Sequence, residues 1–269
     1  MIKKCEIQEK FNIHLKHQRK SKRTIEVYEG FLKRFLNDFN CHPSNVTNNQ
    51  IIEYLGKLSR PQHKQMVATL KIIYRDVLRC PRKLKGIKYP KKEERIPEIL
   101  SREDIFKLIE ASSRNLKHKA IISLLYDSGL RISELLNLKL RDIDSDRLQV
   151  IVRGGKGNKD RRSVLGKSTL KLLRGYYREY KPNFYLFESP GGGKYSTTSV
   201  RALLKTYCKK AGVRPISPHT LRHSFATHLI ESGTPESKVQ HLLGHKHITT
   251  TQIYNHVTTD NVESLLDVA

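Results

Sequence analysis

The stretch Ser217-Pro218-His219-Thr220-Leu221-Arg222 combines residue types suited to holding an anion. Ser217 has the side-chain oxygen of a helix N-cap, and Pro218 suits the first helical position. His219 and Arg222, three residues apart, then share one face of the first turn. An imidazole, a guanidinium and the positive end of a helix dipole converge there, which makes a pocket for an anion, most simply a phosphate. Taken alone, the stretch fits equally a solvated helix start that carries a basic residue. Other residues have chemistry of the same sign. Arg131 falls at a helix-to-helix turn among apolar neighbours, where a guanidinium needs a partner, and Glu134 is the candidate. Lys156 lies in the turn Gly154-Gly155-Lys156-Gly157-Asn158-Lys159-Asp160, either as a cation at a hairpin tip or as an ordinary surface lysine. That turn is no P-loop, because it lacks both the Gly-x-x-x-x-Gly-Lys-Ser/Thr spacing and a following helix. His245 directly follows Gly244, and Tyr254 comes nine residues later, near a short helix expected from about Thr249.

These groups need a scaffold, and most of it reads as helix. Tyr28, Leu32, Phe35 and Phe39 recur with a helical period. Thr47 and Gln50 form a capping box that leads into Ile51, Ile52, Leu55 and Leu58. Pro61 ends or separates that element. Met66, Leu70, Ile73 and Val77 mark another helix, with Lys64, Lys71, Arg75 and Arg79 on its other faces. The segment to about Arg82 is therefore a small helical bundle with a basic surface. Gly86 to Ile99, with Pro90 and Pro97, reads as a linker. The expected domains are residues 1–86, a linker at 87–99, and 100–269.

In the second domain, Ser101 caps a helix with Ile105, Leu108 and Ile109 inward. Ala120–Tyr126 is an apolar helix that Gly129 ends. Leu148–Val152 and Arg161–Leu165 pair as a β-hairpin. Pro182–Tyr195 is a loop and Ser199–Ala211 a helix. Leu221, Phe225 and Leu229 form a core-facing seam after the anion pocket. Thr234 and Pro235 open a helix that buries Val239, Leu242 and Leu243 and stops at Gly244. The fold class is mainly α, with a small antiparallel sheet in the second domain.

The chain of 269 residues carries a formal charge of +25. The excess is spread, +14 through Arg95 and +11 beyond it, so it is not a basic tail on a neutral body. Such a charge points to a polyanionic partner, and nucleic acid leads. The four cysteines, Cys5, Cys41, Cys80 and Cys208, form no CxxC pair, which fits a reducing cytosol without a disulfide framework or structural zinc. Neither an apolar run of membrane-spanning length nor a signal peptide is visible, so a cytoplasmic location without membrane attachment is expected.

Five motifs in order resemble the tyrosine recombinases, the family of Xer-type recombinases and phage integrases. They are Ser128-Gly129-Leu130-Arg131-Ile132-Ser133-Glu134-Leu135, Gly155-Lys156-Gly157-Asn158-Lys159-Asp160-Arg161, His219-Thr220-Leu221-Arg222-His223, Leu243-Gly244-His245 and Ile253-Tyr254. The resemblance implies a core-binding helical domain and a catalytic domain that close as a clamp around duplex DNA. It implies strand exchange through a covalent 3′-phosphotyrosyl intermediate, by a protein that is monomeric in solution and a homotetramer on two DNA sites. Tyr254 would be the nucleophile. Arg131 and Arg222 would hold the non-bridging phosphate oxygens, with His219 and His245 completing the pocket and His219 a candidate to take the tyrosine proton. Lys156 would protonate the leaving 5′-oxygen, and Glu134 would support the pocket from behind. No metal or cofactor is expected, because the cations supply the charge. Val262, Leu265, Leu266 and Ala269 would form the apolar face of a tail helix docked on a neighbouring protomer, or else in cis.

An Xer-like resolvase of chromosome or plasmid dimers is the leading role, with a small mobile-element integrase as the alternative. A type IB topoisomerase shares the nicking chemistry but works alone. A non-catalytic DNA-binding protein is the reading from another class, and it predicts substitutions among the catalytic-type residues; none is seen. Target sequence and accessory proteins are not legible.

Overall fold

The computed structural model describes residues 4–91, 98–154 and 160–244, and the chain divides into two compact units, Met1–Glu94 and Arg95–Ala269. Lys156, His245, Tyr254 and the expected tail helix lie outside the described residues.

In the first unit, α1 (Lys4–His17), α2 (Lys22–Phe39), α3 (Asn48–Gly56) and α4 (Arg60–Lys71) enclose a core that includes Phe11, Leu32, Phe35, Ile51 and Leu70. The capping box at Thr47 forms as its residue types dictate, with the Gln50 N–H donating to the Thr47 hydroxyl at 3.3 Å. Of the apolar residues that follow the box, Ile51 and Leu55 take the buried face of the short helix, and Ile52 is 48% exposed. Pro61 does not close α3. It occupies the first turn of α4, where its missing N–H costs nothing. The helical period through Val77 continues after α4 as a wider π turn over residues 72–77, in which the Leu78 N–H reaches Ile73 O at 2.8 Å. Tyr74 is buried in that turn and donates its hydroxyl hydrogen to Pro43 O.

The second unit contains α5 (Arg102–Ala111), α6 (Leu116–Asp127), α7 (Ile132–Asn137), β1 (Ile143–Asp144), β2 (Gln149–Val152) and β3 (Arg161–Val164). It continues with α8 (Lys167–Tyr180), α9 (Thr197–Ala211), α10 (Pro218–Glu231) and α11 (Glu236–Leu243). The three strands form an antiparallel sheet in the order β1-β2-β3. β1 is two residues long, too short to leave a periodic signal. α8 does have one that the sequence reading passed over: Leu170, Leu173 and Tyr176 recur at helical spacing and are buried.

The core of this unit gathers around α6 and α10. Ile121, Leu124 and Leu125 are fully buried, and so are Leu221, Phe225 and Leu229 or nearly so. Gly129 follows α6 at φ +56°, and a Cβ there would overlap the Phe225 ring, so glycine is required on both counts. The start of α5 and the residue pair before it are tied to α10: Leu100 N–H donates to Ser224 Oγ at 2.9 Å, and Arg102 donates to Ser232 Oγ at 2.6 Å.

His228 on α10 is buried, with its Nδ1 2.8 Å from the Tyr126 hydroxyl. Burial, and then the nearby Arg102 charge, depress its pKa from 6.5 to about 4. The unfolded chain therefore binds a proton that the folded one refuses, and acid favours unfolding. Stability present above about pH 6.5 should fall by on the order of 3 kcal/mol as the pH drops toward 4. Thermal melts of wild type and His228→Gln across that range should diverge, the variant showing the shallower loss; parallel curves would exclude His228 as the cause.

Candidate active site

The site is built where α7, β3, α10 and α11 meet, and its centre is Glu134. Arg131 has extended backbone at the N-cap of α7, and Glu134 stands three residues on. This local spacing lets Glu134 Oε2 accept the Arg131 backbone N–H at 2.8 Å while Oε1 accepts Arg131 Nη1 at 2.7 Å. The pairing is the one expected from the sequence. A second guanidinium was not expected there. Arg161 donates Nη1 to Glu134 Oε1 at 2.8 Å and Nη2 to Oε2 at 2.7 Å, a two-pronged pair with both side chains nearly buried. Arg222 Nη1 lies 3.8 Å from the same carboxylate. Burial alone would raise the Glu134 pKa, but the hydrogen bonds and charge of Arg161, with those from Arg131, hold it down at about 2. Three guanidiniums around one carboxylate leave an excess of two positive charges, an electrostatic setting that favours a bound anion.

Arg222 comes from the start of α10, and the caps predicted for that helix are present. Ser217 Oγ accepts the Thr220 N–H, and Pro218 sits in the first turn. The surroundings of Arg222 differ from a simple helix-end pocket. Its side chain is 6% exposed and donates Nη1 to Gly129 O and Nη2 to Leu243 O, each at 2.6 Å. It thus joins the turn before Arg131 to the end of α11. His219, one turn earlier, remains open to solvent. Partial desolvation first, then the charges of Arg222, Arg131 and Arg201, lower its pKa below 6.5. At neutral pH this favours an imidazole able to accept a proton, the state that a general base requires. Arg201, on α9, was not singled out in the sequence. His223 is half-buried and likewise lowered, by burial, His219 and Arg222.

The expected pairing of β2 with β3 is present, with Val152 opposite Arg161 and Val150 opposite Ser163. The two-residue period puts Arg161 and Ser163 on the inner face and Arg162 and Val164 outward. On either side of residues 155–159, the Gly154 N–H donates to Asp160 Oδ1 at 2.9 Å. Arg161 was quoted at the end of the hairpin motif without a role. Its distance of 27 residues from Glu134 offered no local signal, and only the strand alternation could have suggested that it points inward.

Residues 98–261 match the Phage integrase family, and residues 7–83 match the Phage integrase, N-terminal SAM-like domain. The chain is 35% identical over 279 residues to the tyrosine recombinase XerA of Pyrococcus horikoshii, with 100% of this chain and 95% of the relative covered. The chain belongs to the phage integrase family of tyrosine recombinases. This recombinase is also 36% identical over 274 residues to the tyrosine recombinase XerD of Rickettsia bellii, which covers 91% of it and 89% of the relative. The crystal structure of XerA recombinase superposes with a TM-score of 0.57 at 31% identity, with 98% and 96% of the two chains covered. The recombinase also shares its fold with a lambda integrase(75-356) dimer bound to a COC′ core site, at a TM-score of 0.78 and 19% identity over 96% of this chain and 98% of that one. It is a tyrosine-type site-specific DNA recombinase, mostly helical with a small antiparallel sheet. No helix among its described residues is long and apolar enough to cross a membrane.

Proposed function

We propose that this recombinase cuts and rejoins duplex DNA through a covalent 3′-phosphotyrosyl intermediate on Tyr254. The observation that carries the reading is the convergence of Arg131 and Arg222 on Glu134 beside His219, with positive charge in excess. A phosphodiester repels a nucleophile by its negative charge, and guanidiniums neutralise that charge while bonding its oxygens. In this mechanism Arg131 and Arg222 hold the non-bridging oxygens and His219 takes the phenol proton. The Tyr254 oxygen then bonds to phosphorus as the bond from phosphorus to the 5′-oxygen breaks. Lys156 gives a proton to that leaving oxygen, which contributes about two to four orders of magnitude. His245 completes the oxyanion pocket, and the reverse sequence religates the strand.

The two units then act as a core-binding domain and a catalytic domain that clamp the duplex. Free monomers assemble as a tetramer on two DNA sites, in the cytoplasm. Relatives at 33–36% identity over nearly the full chain bear Xer names, which supports resolution of chromosome or plasmid dimers as the role. Covalently trapped DNA, recovered from cells and sequenced, should converge on one short site. Purified enzyme should cleave that site equally well in EDTA, since the pocket's own cations stabilise the transition state. Absence of any adduct would overturn the covalent mechanism, and strict dependence of cleavage on magnesium would overturn the role given to the arginines and Lys156.

A further inference from the structure

The three arginines around Glu134 differ in what else they hold. Arg131 retains 22% side-chain exposure. Arg161 is 7% exposed, and its third contact leads away from the carboxylate: Nε donates to Leu242 O at 2.8 Å. The carbonyls in the last turn of a helix lack intrahelical partners. In α11 the Leu242 carbonyl is taken by Arg161 and the Leu243 carbonyl by Arg222. Gly244 follows at φ +65°, packed so closely that a Cβ there would come 2.8 Å from Arg161 Cδ. The end of α11 is thus held by two guanidiniums that share one carboxylate as neighbour.

We propose that Arg161 is a positioning residue for strand cleavage, which braces the Glu134 carboxylate against the end of α11 and so holds the Arg131 guanidinium and the last turn of α11 in one arrangement. The inference rests on the recombinase mechanism proposed above. Arg161 Nη1 and Arg131 Nη1 share Glu134 Oε1, at 2.8 and 2.7 Å, so a shift of the carboxylate redirects Arg131. Arg161 is also the first residue of β3, five positions beyond Lys156 in the chain. One rigid fork thus links the strand that follows the general acid, the phosphate-binding arginine and the helix that leads to the second histidine. A lysine at position 161 keeps the charge but cannot reach two carboxylate oxygens and a carbonyl in one plane.

The test uses full-length protein and the DNA recovered from wild-type adducts. Wild-type cleavage of that DNA is the control: without it the covalent mechanism fails, whatever Arg161 does. With it, Arg161→Lys should lower the single-turnover cleavage rate at saturating DNA about 100-fold, the scale of an ångström-level misplacement. DNA affinity should stay within about three-fold, because the charge is unchanged. The losses from Arg161→Lys and Glu134→Gln should be non-additive, the double variant being no slower than the slower single one. A normal rate at saturation, a defect confined to affinity or melting temperature, or additive losses would each overturn the proposal. Should Arg161→Lys not fold, Arg161→Gln, which keeps an N–H donor but loses the charge, is read by the cleavage rate at saturating DNA and by non-additivity with Glu134→Gln.

Discussion

Tyr254→Phe is expected to abolish the covalent protein–DNA adduct while DNA affinity stays within a few-fold. The substitution removes one oxygen and leaves the ring. A phenol has a pKa of about 10, so at neutral pH it attacks only where a base removes its proton and cations stabilise the developing charge. In the proposed mechanism His219, with its lowered pKa, and the excess positive charge around Glu134 would supply both conditions. Affinity has another origin. The charge of +25 is expected to act through many phosphate contacts and counter-ion release, with a log–log salt slope of about −0.9 per phosphate neutralised, and a neutral hydroxyl contributes nothing to it. Denaturing gels with end-labelled DNA read the adduct, and gel shifts at fixed salt read affinity. An adduct that persists in Tyr254→Phe would assign the attack to another residue.

Glu134→Gln should produce the largest loss of stability at the site. The side chain keeps its shape and loses the charge that balances Arg131, Arg161 and Arg222. Removal of one partner from a buried ionic cluster costs about 3–5 kcal/mol, because the remaining charges stay desolvated. At a few degrees per kcal/mol for a domain of this size, the catalytic unit should melt roughly 10 °C lower. Cleavage should fall with it, since Arg131 loses its side-chain and backbone anchor. DNA affinity should not fall, because the site becomes more positive. The acid limb of the stability profile gives an independent reading. The folded Glu134 value of about 2 lies below the ordinary 4.5, so its stabilisation is complete above about pH 4.5 and is lost as the pH falls toward 2. The difference in melting temperature between wild type and Glu134→Gln should shrink over that window. A constant difference would mean that the carboxylate's charge is not what stabilises the cluster.

Some of this architecture depends on interactions within one turn of chain, and those were legible. Ser217 caps α10, Thr47 and Gln50 box α3, and Glu134 meets Arg131, because in each case the partners stand three residues apart and the backbone itself brings them together. The apolar period likewise marks the buried stripe of α10 through Leu221, Phe225 and Leu229. Pattern reading does not decide where two outcomes share one signal. Ile52 sits beside the buried stripe of α3 and faces solvent, and Pro61 can end one helix or open the next.

The amino-acid sequence by itself determined the helical class, the hairpin, the basic character and the candidate residues for phosphate chemistry. Only the tertiary structure decided how they are held. Arg161 reaches Glu134 across 27 residues, and Arg222 reaches Gly129 O and Leu243 O across 93 and 21. A guanidinium has five N–H donors and many potential acceptors along a chain, so composition and spacing cannot choose among them. The choice follows from which carbonyls and carboxylates are left without partners once α6, α7, β3, α10 and α11 have packed, because a buried charge is tolerated only where those groups satisfy it.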